Sequence, residues 1–214
     1  MTLVGLHVHI GSQIFDLQPY CDAIKAVLDF AVELRDAVGF ELQELDLGGG
    51  WGVAYSDDAK SASVESIALT IGDALQSQII DNQLRFLFEP GRSLVAQSAV
   101  ALYTVGSVKE IAGVRTYVSV DGGMGDNIRP ALYGAKYIAR VANRMEDAAT
   151  VRVSIAGRYC EQGDILIENV ELPRMRAGDI IAVPVAGAYQ LPMASNYNMI
   201  PRPPWSLCAM ERRA

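Results

Sequence analysis

Cysteine is scarce in this chain: Cys21, Cys160 and Cys208 are the only three in 214 residues, and they lie far apart. So few thiols at such spacing exclude a disulfide framework and a thiolate zinc site, and favour a reducing, cytoplasmic setting. Histidine is scarcer still, with only His7 and His9, so a metal centre built chiefly from imidazoles is not expected. Basic residues number 18 against 25 acidic ones, for a formal net charge of −7, and they form no cluster. That balance argues against a nucleic-acid-binding face. Any anion site must be local, built from backbone amides and one or two arginines. No apolar stretch approaches the ~20 residues of a membrane span. The opening MTLVGLHVHI has neither the basic lead nor the apolar length of a signal peptide. A soluble cytoplasmic protein with no membrane or nucleic-acid partner is the expectation.

What the chain has instead is a change of texture near its middle. Up to about residue 97, strand and helix patterns alternate, as in a parallel sheet with crossover helices. LVGLHVHI, LQELDL and RFLFEP read as three strands. Between them, Tyr20, Ile24, Val27, Leu28, Ala31 and Leu34 recur at helical spacing, with Asp16 as a cap and Gly39 as a stop. Val64, Ile67, Ala68, Ile71, Leu75 and Ile79 mark a second helix that Ser63 could cap. Residues 98–214 break into short runs such as TYVSVDGG, VRVSIAG, DILIENV and DIIAVPVAGAY, divided by Gly, Pro and Asn turns. They predict a β-rich second domain. Three βα strands alone leave faces and edges uncovered, so a preceding part of the first domain is expected.

In α/β folds, ligands gather at the carboxyl ends of strands. Here those ends read HVHIGSQ, LDLGGGWG and FLFEPGRS. The run Gly48–Gly49–Gly50 admits two explanations: a tight turn needing positive φ, or backbone that approaches a ligand, most often a phosphate. Glu89 follows an apolar run and needs a cation. Arg92 could supply it as a plain ion pair. Alternatively Glu89 meets a cationic ligand atom and Arg92 an anionic one, as the ring nitrogen and phosphate of pyridoxal phosphate would provide. The glycines, the Ser12 hydroxyl and Arg92 would then share the phosphate. His7 and His9 lie on one face of their strand and could ligate a metal in a barrel hydrolase only if carboxylates completed the set. A core histidine with a satisfied ring nitrogen is the plainer reading of His7. His9, nearer the strand end, could lie flat against a cofactor.

Six motifs occur in an order that resembles the diaminopimelate decarboxylases, pyridoxal-phosphate enzymes of the alanine-racemase-like group. They are GLHVHIGSQI, LDLGGGWGVAY, FEPGRSLVA, VDGGMGDNIRPALYGA, CEQGD and GAYQLPMASNYN, and the resemblance runs from about Leu3 to Pro203. It implies that residues 1–97 are the C-terminal part of a pyridoxal-phosphate-binding (β/α)8 barrel of TIM type. Residues 98–214 would be a β-rich C-terminal domain, barrel or sandwich. It further implies that His9 stacks on the cofactor ring, that Ser12, Gly48, Gly49, Gly50, Gly91 and Arg92 surround the phosphate, and that Glu89 pairs with the pyridine nitrogen. Arg92, Arg129 and Tyr133 would grip the substrate's distal carboxylate, Glu161 its distal ammonium, and Tyr189 would contact cofactor and substrate. Cys160 would protonate the carbon that loses carbon dioxide, from a loop entering the neighbouring subunit of a homodimer. Asp121 and Asp126 are explained by turn chemistry.

Two departures qualify the expectation. The lysine that such enzymes join to the cofactor falls upstream of everything present; Lys25, Lys60, Lys109 and Lys136 do not match it, and Lys136 reads as a solvated or salt-bridged side chain. After NYNMIPRP, the tail PWSLCAMERRA does not resemble the closing strand of the β domain. The parent activity implied is decarboxylation of meso-2,6-diaminopimelate to L-lysine, with this chain expected to be inactive by itself. An ornithine, arginine or carboxynorspermidine decarboxylase would share the cofactor residues. A non-catalytic relative that dimerises with an active enzyme would share the fold.

Overall fold

The computed structural model describes residues 2–78 and 83–208. The chain divides into two compact units, Met1–Ala96 and Gln97–Ala214. In the first unit β1 (Gly5–His7), α1 (Gln18–Val38), β2 (Glu44–Asp46), α2 (Val64–Gln76), β3 (Arg85–Leu87) and α3 (Gly91–Val95) follow in order. The three strands are parallel, in the order β1-β2-β3, and pair so that Leu6, Leu45 and Phe86 stand in one row and His7, Asp46 and Leu87 in the next.

The helices form for the reasons their sequences suggest. Pro19 sits in the first turn of α1, where its missing N–H costs nothing. Tyr20, Ile24 and Ala31 are its buried residues, and Gly39 ends it with a left-handed φ of 71°. The start differs from expectation. Leu17 is the cap, while Asp16 accepts the Gln18 N–H at 3.0 Å from just outside the helix. An aspartate makes this local turn as readily as a true cap. In α2 the Ser63 side chain does accept the Ser66 N–H, and Ile67, Ile71 and Leu75 face the core. Val64 and Ala68, assigned to the same face, are exposed, and Ile79 lies outside the described residues. Tyr20, Ile24, Leu45, Leu47, Ile67, Ile71 and Leu75 form one apolar cluster between the strands and the two helices. No described helix is long and apolar enough to cross a membrane.

The second unit comprises β4 (Ala101–Ile111), β5 (Arg115–Val120), α4 (Arg129–Tyr133), β6 (Arg140–Val141), β7 (Val151–Ala156), β8 (Ile165–Leu172), β9 (Ile180–Val183) and α5 (Gln190–Met193). Its strands form one sheet in the order β6-β9-β4-β5-β7-β8. Every pair is antiparallel except β5–β7. Inward alternation buries Val105, Val118, Val120, Val153, Ile155, Ile181 and Val183. A wholly buried carboxylate, Asp179, ties the β6 side of this sheet. It accepts the Arg144 guanidinium at 2.6 Å, the Arg176 N–H at 2.9 Å and the Asn143 amide at 3.4 Å.

Candidate active site

In the first unit the chemistry gathers just beyond the strand ends. The parallel hydrogen bonding continues past β2 and β3: Leu47 N–H reaches the Leu87 carbonyl at 3.0 Å, and Glu89 N–H reaches the Gly48 carbonyl at 2.8 Å. That ladder brings Glu89 beside the glycine run. The glycines themselves are explained by close packing. A side chain on Gly48 would lie 2.6 Å from the Val8 carbonyl oxygen, one on Gly49 would strike the Glu89 carbonyl, and one on Gly50 the Gly11 carbonyl. Gly48 and Gly50 also adopt left-handed φ of 66° and 92°. The two explanations left open by the sequence therefore resolve in part. Turn geometry and contact between neighbouring strand ends suffice to require glycine, whatever the backbone approaches besides.

Three side chains are fixed by this packing. His9 Nδ1 accepts the Gly49 N–H at 3.2 Å, so the neutral ring carries its proton on Nε2. Tyr20 donates its hydroxyl to the Gly49 carbonyl at 3.0 Å, and burial raises its proton affinity. Arg92, buried in α3, donates to Ser12 Oγ at 2.8 Å through Nη2 and to the Tyr55 hydroxyl at 2.9 Å through Nη1. A guanidinium and a hydroxyl thus converge as donors suited to a planar or tetrahedral anion.

Glu89 does not behave as the plain partner of Arg92. Its Oε2 lies 3.2 Å from His7 Nε2. His7, expected in the core, is instead half exposed at the end of β1, with its ring nitrogen satisfied by this carboxylate. Parallel register places His7 beside Asp46. The donor atoms of His7, Asp46 and Glu89 all lie within 4.8 Å of one another, a set able to meet a cation, whether a metal ion or a protonated ring nitrogen. Asp46 is oriented by the Gly48 N–H, which donates to Oδ1 at 2.9 Å.

In the second unit Arg129 is buried at the start of α4 and donates to the Tyr137 hydroxyl at 2.7 Å. Its guanidinium faces the rings of Tyr137 at 5.9 Å and Tyr189 at 5.5 Å. Tyr189 holds a left-handed φ of 67° without being glycine, a strained backbone at the start of α5. Tyr133 and Lys136 are exposed. Cys160 and Glu161 are exposed on the loop between β7 and β8, and the Tyr197 hydroxyl donates to Glu161. That contact raises the Tyr197 proton affinity. Asp126 is buried, accepting the Tyr103 hydroxyl at 2.6 Å and the Gly123 N–H at 2.7 Å. Burial pushes its carboxyl up despite these donors, and pushes Tyr103 well above an ordinary tyrosine. Asp121, just after β5, accepts the Thr104 N–H of β4 at 2.8 Å, so its carboxylate ties two strands 17 residues apart rather than closing the local turn expected from the sequence.

Sequence reasoning missed Tyr55, Asp46, Tyr137 and Tyr197 as members of these groups. Tyr55 and Tyr197 stood inside quoted motifs, and Asp46 is two residues before the glycine run. Only Tyr137 carried no local signal, because its ring reaches Arg129 through the turn that follows α4.

Residues 1–96 match the family of pyridoxal-dependent decarboxylases, pyridoxal binding domain. Diaminopimelate decarboxylase of Bacillus subtilis is 48% identical over 210 residues, covering 95% of this chain and 47% of the relative. The crystal structure of diaminopimelate decarboxylase from m. jannaschii, in co-complex with L-lysine, superposes with a TM-score of 0.85 at 36% identity. That match covers 94% of this chain and 45% of the other. The Helicobacter pylori enzyme, also complexed with L-lysine, gives 0.81 at 37% identity, covering 93% and 48%. The chain spans about half the length of the curated relatives it matches. The chain is therefore similar over nearly all its length to about half the length of the diaminopimelate decarboxylases, and its first 96 residues match the pyridoxal-binding domain of the pyridoxal-dependent decarboxylases.

Proposed function

We propose that this chain supplies strand-end cofactor contacts and substrate-contacting loops of a diaminopimelate decarboxylase, which converts meso-2,6-diaminopimelate to L-lysine and carbon dioxide. The first unit is read as part of a (β/α)8 barrel and the second as its β-rich companion. The observation that carries the reading is the convergence at three in-register strand ends. An anion-binding pair, Ser12 with Arg92, and a cation-binding carboxylate, Glu89, flank a backbone tight enough to exclude every side chain.

The donor chemistry fits pyridoxal phosphate. Ser12, Arg92 and the Gly48–Gly50 and Gly91 backbone would hold its phosphate, Glu89 would keep its ring nitrogen protonated, and His9 would lie against its ring. When bound, that cofactor supplies an electron sink for the pair left as carbon dioxide departs. The rest falls to this chain's own groups. Arg129, with Tyr133 and Tyr189, binds the distal carboxylate, for which a planar guanidinium is suited. The Glu161 carboxylate binds the distal ammonium. Cys160 holds a proton on Sγ and delivers it to the carbon that has lost its carboxylate. A homodimer, with the Cys160–Glu161 loop reaching the neighbouring subunit, completes the proposal.

Equilibrium binding of pyridoxal phosphate tests it without turnover. Arg92→Ala is expected to weaken binding at least tenfold, about 1.4 kcal/mol, while the exposed Lys136→Ala leaves it unchanged. Equal affinity of the chain and its Arg92→Ala variant would overturn the assignment.

A further inference from the structure

Asp164 is buried, and no role above uses it. It closes the loop that presents Cys160 and Glu161. The Gly157 N–H donates to its backbone carbonyl at 2.9 Å, and its own N–H reaches the Glu161 carbonyl at 3.1 Å. Its carboxylate does more. Oδ2 accepts the Tyr159 N–H at 2.7 Å, inside the same loop, and Oδ1 accepts the Met124 N–H at 2.6 Å. Met124 belongs to the DGGMGDN segment after β5, so one side chain ties two loops together. The Arg158 N–H, donating to the Gly122 carbonyl at 3.0 Å, runs alongside.

The space around this carboxylate is built for it. A side chain on Gly157 or on Gly123 would collide with its oxygens, and one on Gly125 with the Tyr159 hydroxyl. Tyr159 is buried, and its ring meets that of Tyr197 edge-on at 5.6 Å and 64°. Tyr197 in turn donates to Glu161. Burial pushes the Asp164 carboxyl up, and the Tyr159 and Met124 N–H groups oppose that shift. A continuous set of contacts therefore leads from Asp164 through Tyr159 and Tyr197 to the Glu161 carboxylate.

We propose that Asp164 is a positioning residue: by clamping the Tyr159 and Met124 N–H groups it fixes the Cys160–Glu161 loop, and the Tyr197 hydroxyl held by that clamp orients Glu161. Its functional meaning rests on the decarboxylase reading, in which Cys160 and Glu161 meet the substrate. The geometry itself does not. Asparagine at 164 keeps one acceptor but turns an N–H toward the second donor, so the clamp opens on one side.

The test follows Tyr197 by NMR of the chain labelled with ¹³Cζ-tyrosine, its signal assigned with Tyr197→Phe. Contact with Glu161 holds the Tyr197 titration above that of an ordinary tyrosine. In Asp164→Asn the midpoint is expected to fall to that of Glu161→Gln. A residue that merely stabilises the unit would lower the melting temperature and leave this titration in place. A folded Asp164→Asn chain whose Tyr197 titrates as in the unaltered chain overturns the proposal. Should that variant not fold, hydrogen exchange in the unaltered chain decides. The Tyr159 and Met124 amides lie outside every strand and helix, yet are expected to exchange at least 100-fold more slowly than those of Cys160 and Gln162. Equal rates overturn the clamp. Neither readout involves cofactor or turnover, so failure here leaves the pyridoxal phosphate binding test standing, and failure there leaves this one.

Discussion

At Gly49 a single added methyl group would fall against the Glu89 carbonyl oxygen, which is backbone and cannot step aside. The same substitution at Gly72, inside α2, meets nothing within 4 Å. The pair separates packing from chain entropy. Gly49→Ala is expected to destabilise the chain by about 3 kcal/mol through forced backbone movement. Gly72→Ala is expected to stabilise it by about 0.5–1 kcal/mol, because alanine is the better helix former. Denaturant titrations at equal slope measure both. A neutral Gly49→Ala would mean that the strand ends do not pack as closely as described. The Gly49 N–H is committed to His9 Nδ1 at 3.2 Å and the Gly48 N–H to Asp46 at 2.9 Å. Much of what the glycine run does is accordingly internal, and on the proposed reading the phosphate would rest chiefly on Ser12 and Arg92.

Among the elements, β9 pairs with β4 over four residues but with β6 only at Arg140–Ala182 and Val141–Ile181, and a buried charge reinforces that short ladder. Asp179 precedes β9 and holds Arg144, which follows β6. Burial raises the Asp179 carboxyl, but the Arg144 guanidinium, the Arg176 N–H and the Asn143 amide outweigh it and leave it below the usual aspartate value. A carboxyl held lower in the folded than in the unfolded chain contributes stability above its unfolded value, and loses it as pH falls through the folded one. Asp126 and Asp164 are shifted upward and carry the opposite slope. The comparison must therefore be the difference between the chain and Asp179→Asn, in which the other two cancel. That difference is expected to be largest near neutrality, to begin falling as pH passes about 4, where an unfolded aspartate protonates, and to vanish only at the lower pH where the folded carboxyl takes up its proton. Thermal melts from pH 3 to 7 measure it, and a difference flat in pH would refute the assignment. Elements of this kind were legible in sequence only where the signal is local. Ser63 and Gly39 could be read as caps because each acts within one turn. Asp16 could not be told from a cap, because an aspartate two residues ahead of its N–H donor makes a similar bond. LVGLHVHI and LQELDL read as longer strands than the three-residue ladders found. Apolar runs mark buried backbone, and only the partner decides where pairing stops. The Arg144–Asp179 pair spans 35 residues, so no periodicity announced it.

For the whole molecule, the net charge of −7 offers no long-range attraction to a carboxylate, so recognition of such a group must come from buried, fixed cations. Arg129 is such a cation, held by the Tyr137 hydroxyl and faced by two tyrosine rings. On the proposed reading it meets the carboxylate that distinguishes diaminopimelate from ornithine, whose side chain ends in a bare amine. A buried site organised to bind a group rejects the analogue lacking it by about 10⁴-fold, because its own polar atoms are left unpartnered. This chain, supplied with the remaining half of the Bacillus subtilis relative, is expected to release carbon dioxide from meso-diaminopimelate with that preference over ornithine in kcat/KM. Arg129→Ala should erase most of it by lowering turnover of diaminopimelate while leaving ornithine as poor as before. If ornithine were consumed comparably, or if Arg129→Ala kept the preference, the substrate assignment would fall while the cofactor site, tested separately through Arg92, would not. The two outcomes bear on different units of the chain, since Arg92 belongs to Met1–Ala96 and Arg129 to Gln97–Ala214. A loss confined to one of them therefore identifies which half of the proposal is at fault.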